Sequence, residues 1–189
     1  MTEQKKELEL RAYFFVPYNI SPIQLGIQSK HAFDEFLLKY GRHNPKHIVW
    51  DYMETHKTVI ILNGGTTNNQ RELGTGVSLG SLNQIGDSLL HNDIEFSYFK
   101  EPDLNNALTA VCFIGDERIW NYEDYPDFLN WVLKNYLYDE PAHRVLELRM
   151  MGTLELTWMF PAYYEEWVGV IGGEKNVFLR ELIKDKRLA

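Results

Sequence analysis

One cysteine occurs in the 189 residues, Cys112. A disulfide scaffold is therefore excluded, and the thiol's place inside an apolar run marks it as a buried residue of a reducing compartment. No run of about 18 apolar residues exists, so no helix is expected to span a bilayer. The opening Met-Thr-Glu-Gln-Lys-Lys-Glu has no apolar stretch of the kind a signal peptide needs, and a cytoplasmic location is expected. Cations are also scarce: 19 Lys and Arg stand against 27 Asp and Glu, a net charge of −8. Between Asp93 and Asp127 nine acids face only Lys100 and Arg118. Phosphate backbones are bound mainly by Lys and Arg, so this stretch argues against a nucleic-acid surface. The stretch from Glu174 onward is mildly basic. There is no internal repeat.

What is present is an ordinary globular composition, 44% apolar and 24% charged, long enough to bury a core without metal or disulfide staples. Residues 12–18 (AYFFVPY) read as a first strand. Ser21-Pro22 is a cap-and-proline helix start, and the helix should run to about Tyr40 and stop at Gly41. Its expected inner face is Ile23, Ile27, Ala32, Phe33, Phe36, Leu37 and Tyr40. Asn44-Pro45 repeats the start signal for a short second helix. Residues 57–63 read as a buried strand, followed by a glycine-rich loop over 64–80. Ser81 with Gln84 fits a capping box for a helix to about His91. Strands over 94–99 and 108–114 flank an acidic turn, and a helix follows around 125–137. The order is β-α-α-β-α-β-β-α. It predicts an α/β fold with three layers, a mixed sheet of about four strands flanked by helices. The short turn makes the last two strands antiparallel. We expect a domain over 1–137 and an aromatic-rich extension over 138–189, where Trp158, Phe160, Tyr163, Tyr164 and Trp167 cover a sheet face or an interface.

Gln24, Gln28, His31 and Glu35 follow one another at helical spacing and share a face. A His among amides and a carboxylate can move protons or grip a polar ligand; the same pattern also describes an ordinary solvated helix face. Glu101, Asp103, Asn105 and Asn106 crowd one turn, where they suit acid–base chemistry as well as plain turn formation. Ligands of α/β proteins gather at strand ends, which draws attention to this turn. His43, His47 and Asp51 stand at four-residue steps, a metal-ligand spacing, but His43 precedes the expected cap; no metal or cofactor is expected. Gly76-Val77-Ser78-Leu79-Gly80 spells a nucleophile elbow without the buried strand an elbow needs.

The first strand followed by Gln28-Ser29-Lys30-His31-Ala32 on the first helix resembles the type 2 peptidyl-tRNA hydrolase family, whose first helix carries Gln-x-x-His-Ala. The run Glu101-Pro102-Asp103-Leu104-Asn105-Asn106 before Leu-Thr-Ala is similar to proteins of large tailed phages grouped with that family. The resemblance covers residues 12–116. It implies the family's fold and a hydrolytic site. His31 would deprotonate water, Gln28 would orient the substrate, and Glu101 or Asp103 would hold the imidazole. Tyr18, Gln24, Gln28, Asn105, Asn106 and Thr109 would line the ligand. The chain departs from the family at Tyr18–Pro22, which has no lysine, and at the turn, which lacks the family's Asp-Ala-Gly-Arg-Thr. These departures and the acidic charge argue against tRNA as a partner. The first expectation is thus a hydrolase of a small ester- or nucleotide-linked substrate. The second is a homo-oligomer that binds and sequesters a nucleotide-like molecule without chemistry. The third is a protein–protein adaptor.

Overall fold

The computed structural model describes residues 7–67 and 80–189. Most of the loop expected over 64–80, Ser78 included, lies outside them. By its contacts the chain forms two compact units, residues 1–117 with 182–189, and residues 118–181.

In the first unit, β1 (Leu10–Pro17), β2 (Thr58–Gly65), β3 (Phe96–Glu101) and β4 (Ala107–Asp116) build one sheet in the order β2-β1-β4-β3. β1 and β2 are parallel, and β4 runs antiparallel to both β1 and β3. The carboxyl ends of β1, β2 and β3 therefore meet at one end of the sheet, together with the start of β4. The alternation along β1 and β4 supplies two cores. Ala12, Phe14, Val16, Ala110 and Cys112 face α1 (Pro22–Phe36) and the short α2 (Ile48–Asp51), against Ala32, Phe36, Val49 and Tyr52. On the opposite face Tyr13 and Phe113 stack at 5.2 Å, with Phe15 beside them. There α3 (Ser81–His91) covers the sheet so closely that a Cβ on Gly64 would sit 2.7 Å from Leu82 Cδ1. The fold is thus the expected three-layer α/β arrangement around a mixed four-strand sheet. Each fully buried aromatic or aliphatic side chain in it contributes about 1.5–3 kcal/mol.

Several local expectations need correction. Ser21 does cap α1, closing a capping box in which its hydroxyl accepts from Gln24 N and Gln24 Oε1 accepts from Ser21 N. The inner face of α1 is different, however: Gln28 and Ser29 are buried, while Ile23 is 77% and Ile27 46% exposed. The helix widens into a π turn over Leu37–Gly41, where a Cβ on Gly41 would meet Leu37 and Val49 side chains at 2.8 and 3.0 Å. The second helix starts three residues late, because His47 rather than Asn44 caps it, its Nδ1 accepting from Val49 N. Ser81 is the first helical residue of α3, not its cap, and its hydroxyl donates to Gly64 O. β2 is an edge strand and only half-buried, with Val59 half exposed. Its outer edge is partly paired by residues 187–189, through Asn63 N to Arg187 O and Ala189 N to Ile61 O.

The second unit contains α4 (Phe128–Asn135), α5 (Ala142–Met150), α6 (Thr153–Met159), α7 (Pro161–Ile171) and most of α8 (Glu174–Lys184). Phe128, Trp131, Val132, Leu148, Leu156, Trp167 and Ile171 form its core. The helix read at 125–137 lies in this unit because its apolar face is buried on Trp167 and Leu148. The contact division accordingly falls at 117/118, twenty residues before the boundary read from composition. Arg180 is buried and ties this unit's irregular segment, donating to Arg118 O and Tyr125 O. Among the described residues no helix is long and apolar enough to cross a membrane.

Candidate functional site

The site is built where α1 passes the ends of β3 and β4. The turn of α1 that follows Gly26 points Gln28 at the sheet, and the side chain is 6% exposed. A buried amide must satisfy both ends. Gln28 does so: its Nε2 donates to Glu101 Oε2 at 2.6 Å, and its Oε1 accepts from Thr109 Oγ1 at 2.6 Å. Thr109, almost wholly buried, lies 3.3 Å from Phe99 O as well. The orientation of the amide follows from its partners, since a carboxylate only accepts and the hydroxyl is left to donate. Three of the expected site residues, from helix, strand end and neighbouring strand, are thereby joined in one chain of hydrogen bonds.

His31 stands one helical turn beyond Gln28 and is exposed. Its ring stacks on Phe99 with centroids 4.6 Å apart and planes 27° apart. Among the described residues it makes no hydrogen bond. The expectation that Glu101 or Asp103 holds the imidazole is therefore corrected: Glu101 is held by Gln28, and Asp103 is exposed on the turn with no partner among the described residues.

Asn105 and Asn106 both adopt left-handed backbone, φ 61° and 58°, and close the β3–β4 hairpin. Asn tolerates this conformation better than most residues, so their place in the turn follows from backbone geometry. Gln24 is engaged in the capping box. Tyr18 lies at the end of β1, its backbone bonded to Gly65 O and its ring 64% exposed. Thr67, two residues past the end of β2, donates its hydroxyl to Leu108 O at 2.5 Å, so the carboxyl ends of three strands and their connections converge here. Topology makes such a convergence the usual ligand position of an α/β sheet.

Sequence reasoning missed Phe99, the platform under His31, and the cleft it opens into. That cleft has a volume of about 570 Å³ and is lined by Glu35, Leu38, Lys39 and Ser97–Lys100. Lys39 Nζ donates to Phe96 O on the outer edge of β3. Two lysines in one cleft are a notable concentration in a chain short of cations. The signal lay in the spacing of His31 and Glu35 along α1, which aligns the cleft with the histidine.

His47 is not free to ligate a metal with His43 and Asp51. Its Nδ1 caps α2 and its Nε2 donates to Glu95 Oε2 at 2.9 Å. Among the described residues no three ligating side chains are placed to hold a metal ion.

Compared with known proteins, the chain matches no family model, and no curated protein is significantly similar to it.

Proposed function

We propose that the protein hydrolyses a small ester- or nucleotide-linked substrate in the cytoplasm, at the carboxyl end of its sheet. The carrying observation is the buried Gln28, which holds the Glu101 carboxylate on one side of α1's turn and is followed one turn later by an exposed His31. In this reading His31 takes a proton from water as the resulting hydroxide adds to the ester carbonyl, and returns it to the departing alcohol oxygen. Glu101, two residues along β3 from the Phe99 that supports the imidazole, lends negative charge to the protonated ring. The cleft beside Phe99 seats the substrate, and Lys39 and Lys100 suit an anionic group on it. The likeness to the type 2 peptidyl-tRNA hydrolases at Gln28, His31 and Ala32 supports the same assignment. The acidic charge supports a small substrate in place of tRNA.

A second reading rests on a different observation. Among the described residues no carboxylate is bonded to His31, and its ring stacks against Phe99, as a stacking surface for a base would. The same site would then bind and sequester a nucleotide-derived signalling molecule, the role suited to a phage protein, without turnover.

One pair of measurements separates the two. An acylaminoacyl ester of adenosine is offered to the purified protein, and turnover and binding are followed for the wild type and His31→Ala. Hydrolysis that falls about 100-fold in the variant while binding is kept supports the enzyme. Hydrolysis that is unchanged in the variant overturns it. Denaturing the purified protein and recovering an intact nucleotide-like compound favours sequestration.

A further inference from the structure

β3 is an edge strand of the sheet, and its own chain closes only the first part of that edge. Phe96 turns its main chain away from β4. Its N–H donates to the Tyr40 hydroxyl at 3.2 Å, and its carbonyl accepts from that hydroxyl at 3.1 Å and from Lys39 Nζ at 3.2 Å. Pairing with β4 is regular from Phe96 to Phe99, so the direction of the main-chain groups alternates. Tyr98 is therefore the next residue to turn its N–H and C=O outward. Among the described residues no other element bonds to either group.

An open edge alone needs no explanation. This one lines the cleft of about 570 Å³, whose remaining lining is Glu35, Leu38 and Lys39 of α1 and its π turn. A groove between an edge strand and a helix suits a ligand that brings its own main-chain donors and acceptors, an extended chain added as a further strand. The page also narrows the occupant. Because the Phe96 groups are taken, main-chain pairing can begin only at Tyr98, which suits a short extended segment. A second copy presents a β3 closed at Phe96 in the same way, so two sheets joined around Tyr98 would have to break the Tyr40 bonds on both sides. In charge, Lys39 and Lys100 outnumber Glu35 in the lining, although the chain carries −8. This complements a carboxylate. Leu38, 53% exposed, and Phe99 supply apolar surface for an aliphatic side chain.

We infer that the cleft along the outer edge of β3 binds an extended segment of a partner protein, paired through the main chain of Tyr98 and carrying an acidic side chain next to an aliphatic one. The same cleft is proposed above to seat a substrate. This binding rests on the strand edge and stands whether or not the protein hydrolyses anything.

The test is selection from a displayed random octapeptide library, followed by fluorescence anisotropy with the enriched peptides made synthetically. Enriched sequences are expected to place Asp or Glu beside Leu, Ile or Val. Tyr98→Pro is expected to weaken their binding at least about tenfold with an unchanged circular dichroism spectrum, because an edge strand accepts proline where its N–H points outward. Tyr98→Thr keeps the main-chain groups and is expected to bind close to wild type. Should the proline variant misfold, N-methylation of the peptide, one amide at a time, gives an independent readout. The methyl on the amide that donates to Tyr98 O is expected to cost about tenfold, and methyls on the two neighbouring amides much less. Failure to enrich any peptide overturns the inference. So do enriched peptides that are basic, or that bind a folded Tyr98→Pro as tightly as the wild type, or that tolerate every N-methylation. A wild-type dimer that Tyr98→Pro turns into a monomer overturns it as well, since the edge would then belong to a second copy.

Discussion

Gln28 and Glu101, 73 residues apart in the chain, are joined at 2.6 Å, and the bond pins the end of β3 to the first helix. The amide is irreplaceable in chemical terms, because it must donate to a carboxylate and accept from Thr109 at once. Gln28→Leu leaves Glu101 without its donor and is expected to cost about 1–3 kcal/mol. Gln28→Glu costs more at neutral pH, since two carboxylates then share one site, and part of the loss should return in acid as one of them takes a proton. Urea titrations of both variants at pH 7 and pH 4.5 check this. Equal destabilisation of Gln28→Glu at the two pH values would show that the pair does not carry the contact.

The same residue shows what was legible in the sequence. The strands, their order of appearance and the Ser21 cap are written in local signals: aromatic and β-branched runs, and a hydroxyl before proline. The direction in which α1 faces is not. Apolar periodicity assigns Ile23 and Ile27 to the core, yet the sheet end offers Thr109 and Glu101, and those groups select an amide. A buried hydrogen-bonded network overrides hydrophobic pattern where polar partners come from distant strands. Gln28 and Glu101 could be named as site residues from a short motif and an acidic turn. Phe99 under His31 could not, because its position depends on the register of β3 against β4. For the same reason the limits of the first unit escaped composition: α4 carries the same amphipathic signal whichever core receives it.

Cys112 and Tyr52 predict an alkaline limit to stability. Burial pushes the Cys112 thiol well above its ordinary value of 9.0, a hydrogen bond with Ser97 opposing the shift only in part. Tyr52 is raised from 10.0 to about 12, first by burial and then by the charge of Cys112. Both groups titrate higher when folded than when unfolded. Their contribution is complete below the unfolded values and is lost as pH rises past them. Stability should therefore be level to about pH 9 and fall from there toward pH 12. Chemical denaturation across pH 7–11 measures it, and a curve flat to pH 11 refutes the assignment. In parallel, a thiol reagent should label the folded protein negligibly and the unfolded protein once.

Residues 187–189 matter beyond their size because they occupy the outer edge of β2. Two backbone hydrogen bonds hold them there, and Leu62 pairs with Leu188. Removing these residues leaves a half-buried edge strand with Val59 facing outward, the kind of edge that recruits other strands. A chain ending at Lys186 is expected to keep its circular dichroism spectrum but to aggregate faster on mild heating. Light scattering against the full chain decides the point. Placing a lysine at the exposed Val59 should restore solubility to the shortened chain, and failure of that rescue would locate the aggregation elsewhere.

Arg180 gives the sharpest test of the second unit. The guanidinium is 2% exposed, donates to Arg118 O at 2.5 Å and Tyr125 O at 2.8 Å, reaches Asp127 Oδ1 at 3.4 Å and lies 4.2 Å over the Tyr122 ring. Most of its bonds go to backbone carbonyls in a segment that has little regular structure to satisfy them. Truncation to alanine therefore strands buried acceptors as well as Asp127. We expect a loss of about 3–5 kcal/mol, the range for breaking a buried ionic contact from one side. Lysine is not a substitute, since one ammonium cannot span carbonyls that the planar fork reaches together. The loss should be local. Hydrogen exchange in Arg180→Ala should accelerate in α4 and α7, whose core includes Phe128 and Trp167, while amides of β1 and β4 stay protected. Uniform acceleration across both units would mean that they unfold as one, and would contradict the separate core formed by residues 118–181.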